Sequence, residues 1–305
     1  MSEQEVQPRG SHRGVLALAP VLAVLLAGLA AGAFLFLRPP PAVSVDVTFK
    51  PGETLRFHMI MNVSGVTLSG TSPRPAEDEI QADVTWRVVT VDPSGTALVV
   101  QTVSDPTMTT NGLPTTLSDL PPTKIKIGAD GQVRASTGVN LFSGGAPGPA
   151  QAGIARPMAF LPGHPVAEGD IWRTQASQAF WGSALSYAST SQFLRREMLD
   201  GVDAAVIETR ATVPVDVTVK VSALDDVLSL PVSQVPAAAS ASYSGSLTDT
   251  TTTSWVDPAT GSLLKTVSRG TYSIRLALHG FPKSVLTGDG TGTLSGELSM
   301  ELTRV

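Results

Sequence analysis

The chain has 305 residues, a net charge of -5, 42% hydrophobic but only 5% aromatic and 15% charged residues, and no cysteine. The missing cysteine excludes disulfide staples, thiolate metal sites, a cysteine nucleophile and a lipidated cysteine anchor. The acidic balance argues against a nucleic-acid partner, and 32 Thr and 30 Ser beside 28 Gly and 23 Pro favour short strands and turns over a helical bundle.

The first predicted element is a membrane helix. Residues 15–37, VLALAPVLAVLLAGLAAGAFLFL, are 23 positions without a charge, and as a helix they reach roughly 34 Å, enough for a hydrocarbon core of ~30 Å. Pro20 falls in the first turns, where a missing N–H costs least. The rival is a cleaved signal peptide, since Ala31-Gly32-Ala33 fits a cleavage site. The run continues through Phe34, Leu35, Phe36 and Leu37, longer than a usual signal core, and this favours the anchor. Arg9 and Arg13 precede the run and Arg38 alone follows it. The positive-inside rule then makes residues 1–14 a cytoplasmic tail and places everything after the helix outside the cytoplasm. Residues 38–42, RPPPA, read as a stiff stalk. Beyond Arg38 there are 18 basic and 24 acidic residues, so the external part is not drawn to anionic headgroups.

Residues 43–305 read as a β-rich domain outside the cytoplasm. Val213, Val215, Val217, Val219 and Val221 alternate with Pro214, Asp216, Thr218 and Lys220, which implies one buried face. The same pattern occurs at Val43, Val45, Val47 and Phe49, at Tyr272, Ile274, Leu276 and Leu278, and at Leu294, Gly296, Leu298, Met300 and Leu302. Half-buried alternation points to antiparallel sheet. Hairpin turns are predicted at Asp92-Pro93-Ser94-Gly95, Asp130-Gly131, Asp200-Gly201 and residues 257–261, DPATG. A turn or two of helix is expected at 149–161 and at 175–185. The loop 140–148, NLFSGGAPG, divides the domain into possible lobes, 43–140 and 150–305; one continuous sheet system fits the same length.

Chemical motifs weigh against catalysis. Ser262-Leu263-Leu264-Lys265 has the spelling of a penicillin-binding serine site, but that site needs a helix, and this stretch leads into a strand. GxSxG, HExxH and GxxxxGK spellings are absent. Of the external histidines, His58 and His279 lie in strand patterns and His164 beside prolines, with no ligand spacing. Glu77-Asp78-Glu79 and Asp225-Asp226 lack calcium-loop spacing and read as solvated loops. Gly288-Asp289-Gly290-Thr291-Gly292 precedes a strand and reads as a turn. Thr248 and Thr250 to Thr253 read as an exposed strand, and Asn62-Val63-Ser64 is an acceptor spelling inside a strand. Trp86 and Trp255 are expected to fill the core. Trp172, Phe180 and Trp181 sit in an irregular stretch and are the candidates to line a ligand cavity.

The segment 253–265, TSWVDPATGSLLK, resembles the strand, DP-x-TG turn and strand of bacterial envelope proteins, including lipoprotein carriers with a half-barrel fold. Phe160-Leu161-Pro162 followed by 165–172, PVAEGDIW, together with 49–53, FKPGE, is similar to bacterial membrane-anchored and secreted β-rich proteins. The half-barrel resemblance implies an apolar cavity for a lipid-like ligand and transfers no functional residue. The expectation is an all-β fold, mainly antiparallel, half-barrel or sandwich, behind one N-terminal transmembrane helix. Its expected function is non-catalytic binding of a lipophilic or cell-envelope ligand. The expected partners are the bilayer, through the helix, and that ligand or an envelope protein, with no cofactor or metal. The alternative is a structural or protein-interaction ectodomain with a packed interior. A cavity of several hundred cubic ångströms favours the first and a solid interior the second.

Overall fold

Alternation is realised as twelve strands among the described residues: β1 (Thr54–Ser69), β2 (Ser72–Val91), β3 (Ala97–Thr110), β4 (Leu113–Thr115), β5 (Thr123–Ile127), β6 (Val133–Thr137), β7 (Ile171–Phe180), β8 (Ser183–Leu199), β9 (Val202–Lys220), β10 (Ser240–Asp257), β11 (Ser262–His279) and β12 (Thr291–Arg304). The computed structural model describes residues 42–69, 72–115, 122–137, 156–180, 183–220, 236, 238–283, 286 and 289–305. The expected membrane helix at 15–37, the loop at 140–148, Asp225-Asp226 and Trp181 lie outside the described residues.

The strands form one antiparallel sheet in the order β6-β5-β3-β2-β1-β12-β11-β10-β9-β8-β7, with β4 beside β3. Its two end strands, β6 and β7, lie close without a hydrogen-bonded ladder, so the sheet curls into a nearly closed barrel. All four expected hairpin turns are present, joining β2 to β3, β5 to β6, β8 to β9 and β10 to β11. Asp200 and Gly201 both take positive φ, 50° and 83°, the mirror-image turn whose twist matches two paired strands. Asn111-Gly112, with φ of 52° and 76°, does the same between β3 and β4. In the β10–β11 turn the Asp257 carboxylate accepts from Ala259 N at 2.8 Å and Thr260 Oγ1 at 2.6 Å. The Thr260 bond foremost, with these backbone donors, holds its pKa below the usual value.

Four expectations are corrected. Of residues 175–185, expected as a turn or two of helix, 175–180 belong to β7 and 183–185 to β8, which pair from Ile171–Gln192 to Phe180–Ser183. Glu77-Asp78-Glu79 lies within β2, not in a solvated loop. Pro75 is tolerated there because it faces β1 alone; pairing with β3 begins only at Asp78–Thr110. Residues 43–49 keep their alternation, with Val45, Val47 and Phe49 buried. They form no strand, only a bridge from Val43 to Val166. Trp255 does not fill the core. It stands half-buried on the outer face, donates its indole N–H to Glu197, and has Lys265 Nζ 5.9 Å from its ring.

The core lies inside the curl. Trp86 is fully buried, tilted against Phe57 with ring centroids 5.0 Å apart, and donates to Gln101 Oε1 at 3.2 Å. Met59, Met61 and Met300 continue this apolar wall along β1 and β12. Curvature comes from defects. Bulges interrupt β10 after Thr248 and β2–β3 between Gln81 and Asp83, where Asp249 and Asp105 hold positive φ. Gly65 and Gly296 face each other across β1 and β12, and Tyr272 lies opposite Gly296 on β11. Tyr272 reaches over both glycines to Ser64 O at 3.3 Å and Val66 O at 3.4 Å.

Candidate functional site

Beside the methionines the inner face of the sheet carries a polar patch, where Ser268 on β11 pairs with Met300 on β12. On β8 to β11, Ser191, Thr209, Thr250, Thr252, Ser254, Thr266 and Ser268 are all buried. Thr250 and Thr252 correct the expectation of an exposed threonine strand, since even-numbered positions of this stretch point inward. Hydroxyls satisfy one another across the strands: Ser191 with Thr209 at 2.8 Å, Thr252 with Ser268 at 3.1 Å, and Ser254 with Thr266 at 2.9 Å.

A strap of irregular chain, residues 156–161, runs along this patch, fully inside the barrel. A buried backbone must find hydrogen-bond partners, and here the sheet has none left to give, so the hydroxyls serve. Ala159 N donates to Ser254 Oγ and Phe160 N to Thr209 Oγ1, both at 2.8 Å, while Ser268 Oγ donates to Arg156 O at 3.1 Å. Leu161 N is taken by Asp130 O at 2.9 Å. Gly131, at φ 79°, gives the strap room, because a Cβ there would meet Ala159 O at 2.5 Å. The described part of the expected turn at 149–161 is therefore an extended strap.

Arg156 heads the strap and is 3% exposed. Its guanidinium carbon sits 5.0 Å from the centroids of both Phe160 and Tyr187, and Nη2 donates weakly to Thr250 Oγ1 at 3.4 Å. Nε and Nη1 have no acceptor. No carboxylate pairs with Arg156 among the described residues, although five other Lys or Arg ion pairs form there. Burial pushes the Arg156 pKa down, opposed by Tyr187, and burial likewise pushes the Tyr187 phenol up. Guanidinium nevertheless stays protonated in proteins. The result is a buried cation with aromatic faces and no counter-ion among the described residues, an arrangement that costs several kcal/mol in isolation, to order of magnitude.

Beside Arg156 is a cavity of about 20 Å³ lined by Gly131, Gln132, Val133, Pro157, Phe160, Ser177 and Tyr187. It takes residues from β6, β7 and β8, and so lies where β6 and β7 meet without a ladder among the described residues. Larger concavities, about 490 and 770 Å³, are solvent-open grooves lined mainly by outward-facing polar residues such as Asn62, Arg269, Glu297, Arg173 and Arg210.

Of the three residues expected to line a cavity, Trp172 is half-buried on β7, packed against the core, with its indole N–H buried and without an acceptor. Phe180 ends β7 opposite Ser183. Trp181 lies outside the described residues, so the structure does not bear on whether the three share a cavity. The sequence reading missed Arg156 and the hydroxyl patch. One signal was available: residues 131–167 contain no Asp or Glu, yet include Arg134 and Arg156 beside an apolar run.

Elsewhere chemistry-bearing side chains are dispersed. His58 faces Thr303, which faces Lys265, fourteen residues along β11 from His279; that is about 45 Å of strand. His279 Nε2 meets Ser242 Oγ at 3.1 Å on the exposed face, but no carboxylate bonds to this imidazole among the described residues, and the two strands' backbone groups are engaged in their ladder. The pair lacks the third member and the oxyanion donors of a hydrolytic triad. No cluster of three metal-ligating side chains occurs among the described residues. No family model matches the sequence, and no curated protein matches it.

Proposed function

We propose that this is a non-catalytic binding protein of the cell envelope, held in the cytoplasmic membrane by residues 15–37 with its barrel outside, and that a lipophilic or envelope molecule occupies the barrel interior. One observation carries the reading: the apolar interior holds a patch of buried hydroxyls on β8 to β11, with Met59, Met61 and Met300 beside it on β1 and β12. The hydroxyls hold the strap by side-chain bonds alone, whereas a permanent core is more simply filled by apolar side chains that need no partner. Thioethers, by contrast, reshape around varied apolar bodies. Such a lining suits an amphiphile. The strap occupies that place in the unliganded chain, and its side-chain hydrogen bonds can be exchanged without breaking the sheet.

The second reading, a structural or protein-interaction ectodomain, is favoured by the small size of the space at Arg156, about 20 Å³. A ligand body fits only if the strap yields. Native mass spectrometry of the full chain extracted from its own membranes separates the two. A stoichiometric lipophilic adduct is expected, and a bare chain at every extraction condition selects the second reading. Protease added to spheroplasts tests the topology: the chain beyond Arg38 should be digested, and full protection reverses the orientation.

A further inference from the structure

We propose that Arg156 is the receptor for the carboxylate head of the interior ligand, which makes that ligand an acidic amphiphile and not a neutral one. The inference rests on the binding reading and adds the ligand's charge. Three observations meet at one place. Arg156 is 3% exposed and leaves Nε and Nη1 without acceptors. A cavity of about 20 Å³ adjoins it, which suits one small planar group, since a single water needs roughly 10–15 Å³. Finally, the cavity lies where β6 and β7 meet without a ladder among the described residues, so a head group can enter there without breaking sheet hydrogen bonds.

The alternatives are weaker. A purely structural arginine at this depth is expected to carry a carboxylate partner, and the chain supplies none from residue 131 to 167 nor among the described residues elsewhere. The Tyr187 ring and hydroxyl and Thr250 Oγ1, all on the sheet and so in place when residues 159–160 yield, hold the guanidinium but leave Nε and Nη1 for a ligand. A carboxylate fills those donors and neutralises the charge in a setting where charge-assisted hydrogen bonds are strong. A neutral alcohol provides one acceptor and no charge.

The test uses the full chain in zwitterionic nanodiscs, with empty nanodiscs subtracted, and two probes of equal length, decanoate below its micellar concentration and decanol. Wild-type protein should bind decanoate at least tenfold more tightly than decanol, and Arg156→Met should bring the two within about twofold. Methionine fills much of the same volume without a charge, so the variant's melting temperature should hold or rise while discrimination disappears. Equal affinities for the two probes in the wild type, or discrimination surviving in Arg156→Met, overturns the acidic-head assignment and leaves the binding reading standing. Binding of neither probe overturns both. Should Arg156→Met not fold, carboxyl-labelled decanoate bound to the wild type decides the matter. Its ¹³C resonance should titrate at lower pH than free decanoate, and an unshifted or raised titration refutes the pairing.

Discussion

Gly296→Val is expected to cost the barrel about 3 kcal/mol or more, or to prevent folding. The two strands approach too closely for any side chain: a Cβ on Gly296 would lie 1.8 Å from Ser64 O and 2.8 Å from Gly65 Cα, and one on Gly65 would lie 2.2 Å from Ser295 O. Backbone cannot step aside as a flexible side chain can, because Ser64 and Gly65 are held by pairing to both β2 and β12. Gly65 also holds φ at 120°, a conformation L residues rarely adopt. The glycine pair therefore makes a crease in the middle of two long strands, and the Tyr272 ring covers what the missing side chains would leave bare. Urea unfolding measures the effect. Gly163→Ala is the control, since nothing lies within 4 Å of its added Cβ, and it should change stability by less than about 0.5 kcal/mol. If Gly296→Val unfolds at the wild-type urea concentration, β1 and β12 do not touch as described.

Trp86→Ala should be comparably damaging, at about 3–5 kcal/mol. The ring is fully buried between β1 and β3, so alanine leaves a cavity, removes the contact with Phe57, and strands the buried Gln101 amide without its indole donor. Trp86→Phe separates these contributions. It keeps most of the volume and loses the hydrogen bond, for which a loss of about 1–3 kcal/mol is expected. Equal losses in the two variants would mean that the hydrogen bond, not the packing, dominates. Thermal unfolding followed by far-ultraviolet circular dichroism gives both numbers without relying on tryptophan emission.

Turns were the most legible part of this chain, because Asp-Pro and Asp-Gly carry their backbone preferences with them; Asn111-Gly112 carries the same signal and was missed. The valine alternation at 213–219 likewise announced its buried face, and Val213, Val215, Val217 and Val219 are all buried. Legibility failed where a neighbouring strand overrules local preference. Residues 175–180 and 183–185 carry Gln, Ala and Ser without strong alternation, and only pairing between β7 and β8 makes them strand. The acidic triplet at 77–79 was hidden for the same reason: its strand status comes from β1, which pairs along it, joined by β3 from Asp78 onward.

The site was less legible than the fold. In Thr250-Thr251-Thr252-Thr253-Ser254 both faces of the strand are polar, so no pattern distinguishes the inward set from the outward one. The strap carries no repeat at all, and its position depends on three hydroxyls contributed from β9, β10 and β11. Arg156 looks in sequence like any surface arginine. Its meaning appears only when burial and the lack of a carboxylate are seen together.

The central claim is that the strap holds the place of the ligand. Site-resolved hydrogen exchange at the Ala159 and Phe160 amides, measured on the full chain with and without saturating decanoate, tests it most directly. Both amides are bonded to sheet hydroxyls in the unliganded chain and should exchange slowly; on ligand binding they should lose protection while the β9, β10 and β11 amides keep theirs. Decanoate bound at one equivalent with strap protection unchanged would mean that the interior stays solid and the ligand lies elsewhere.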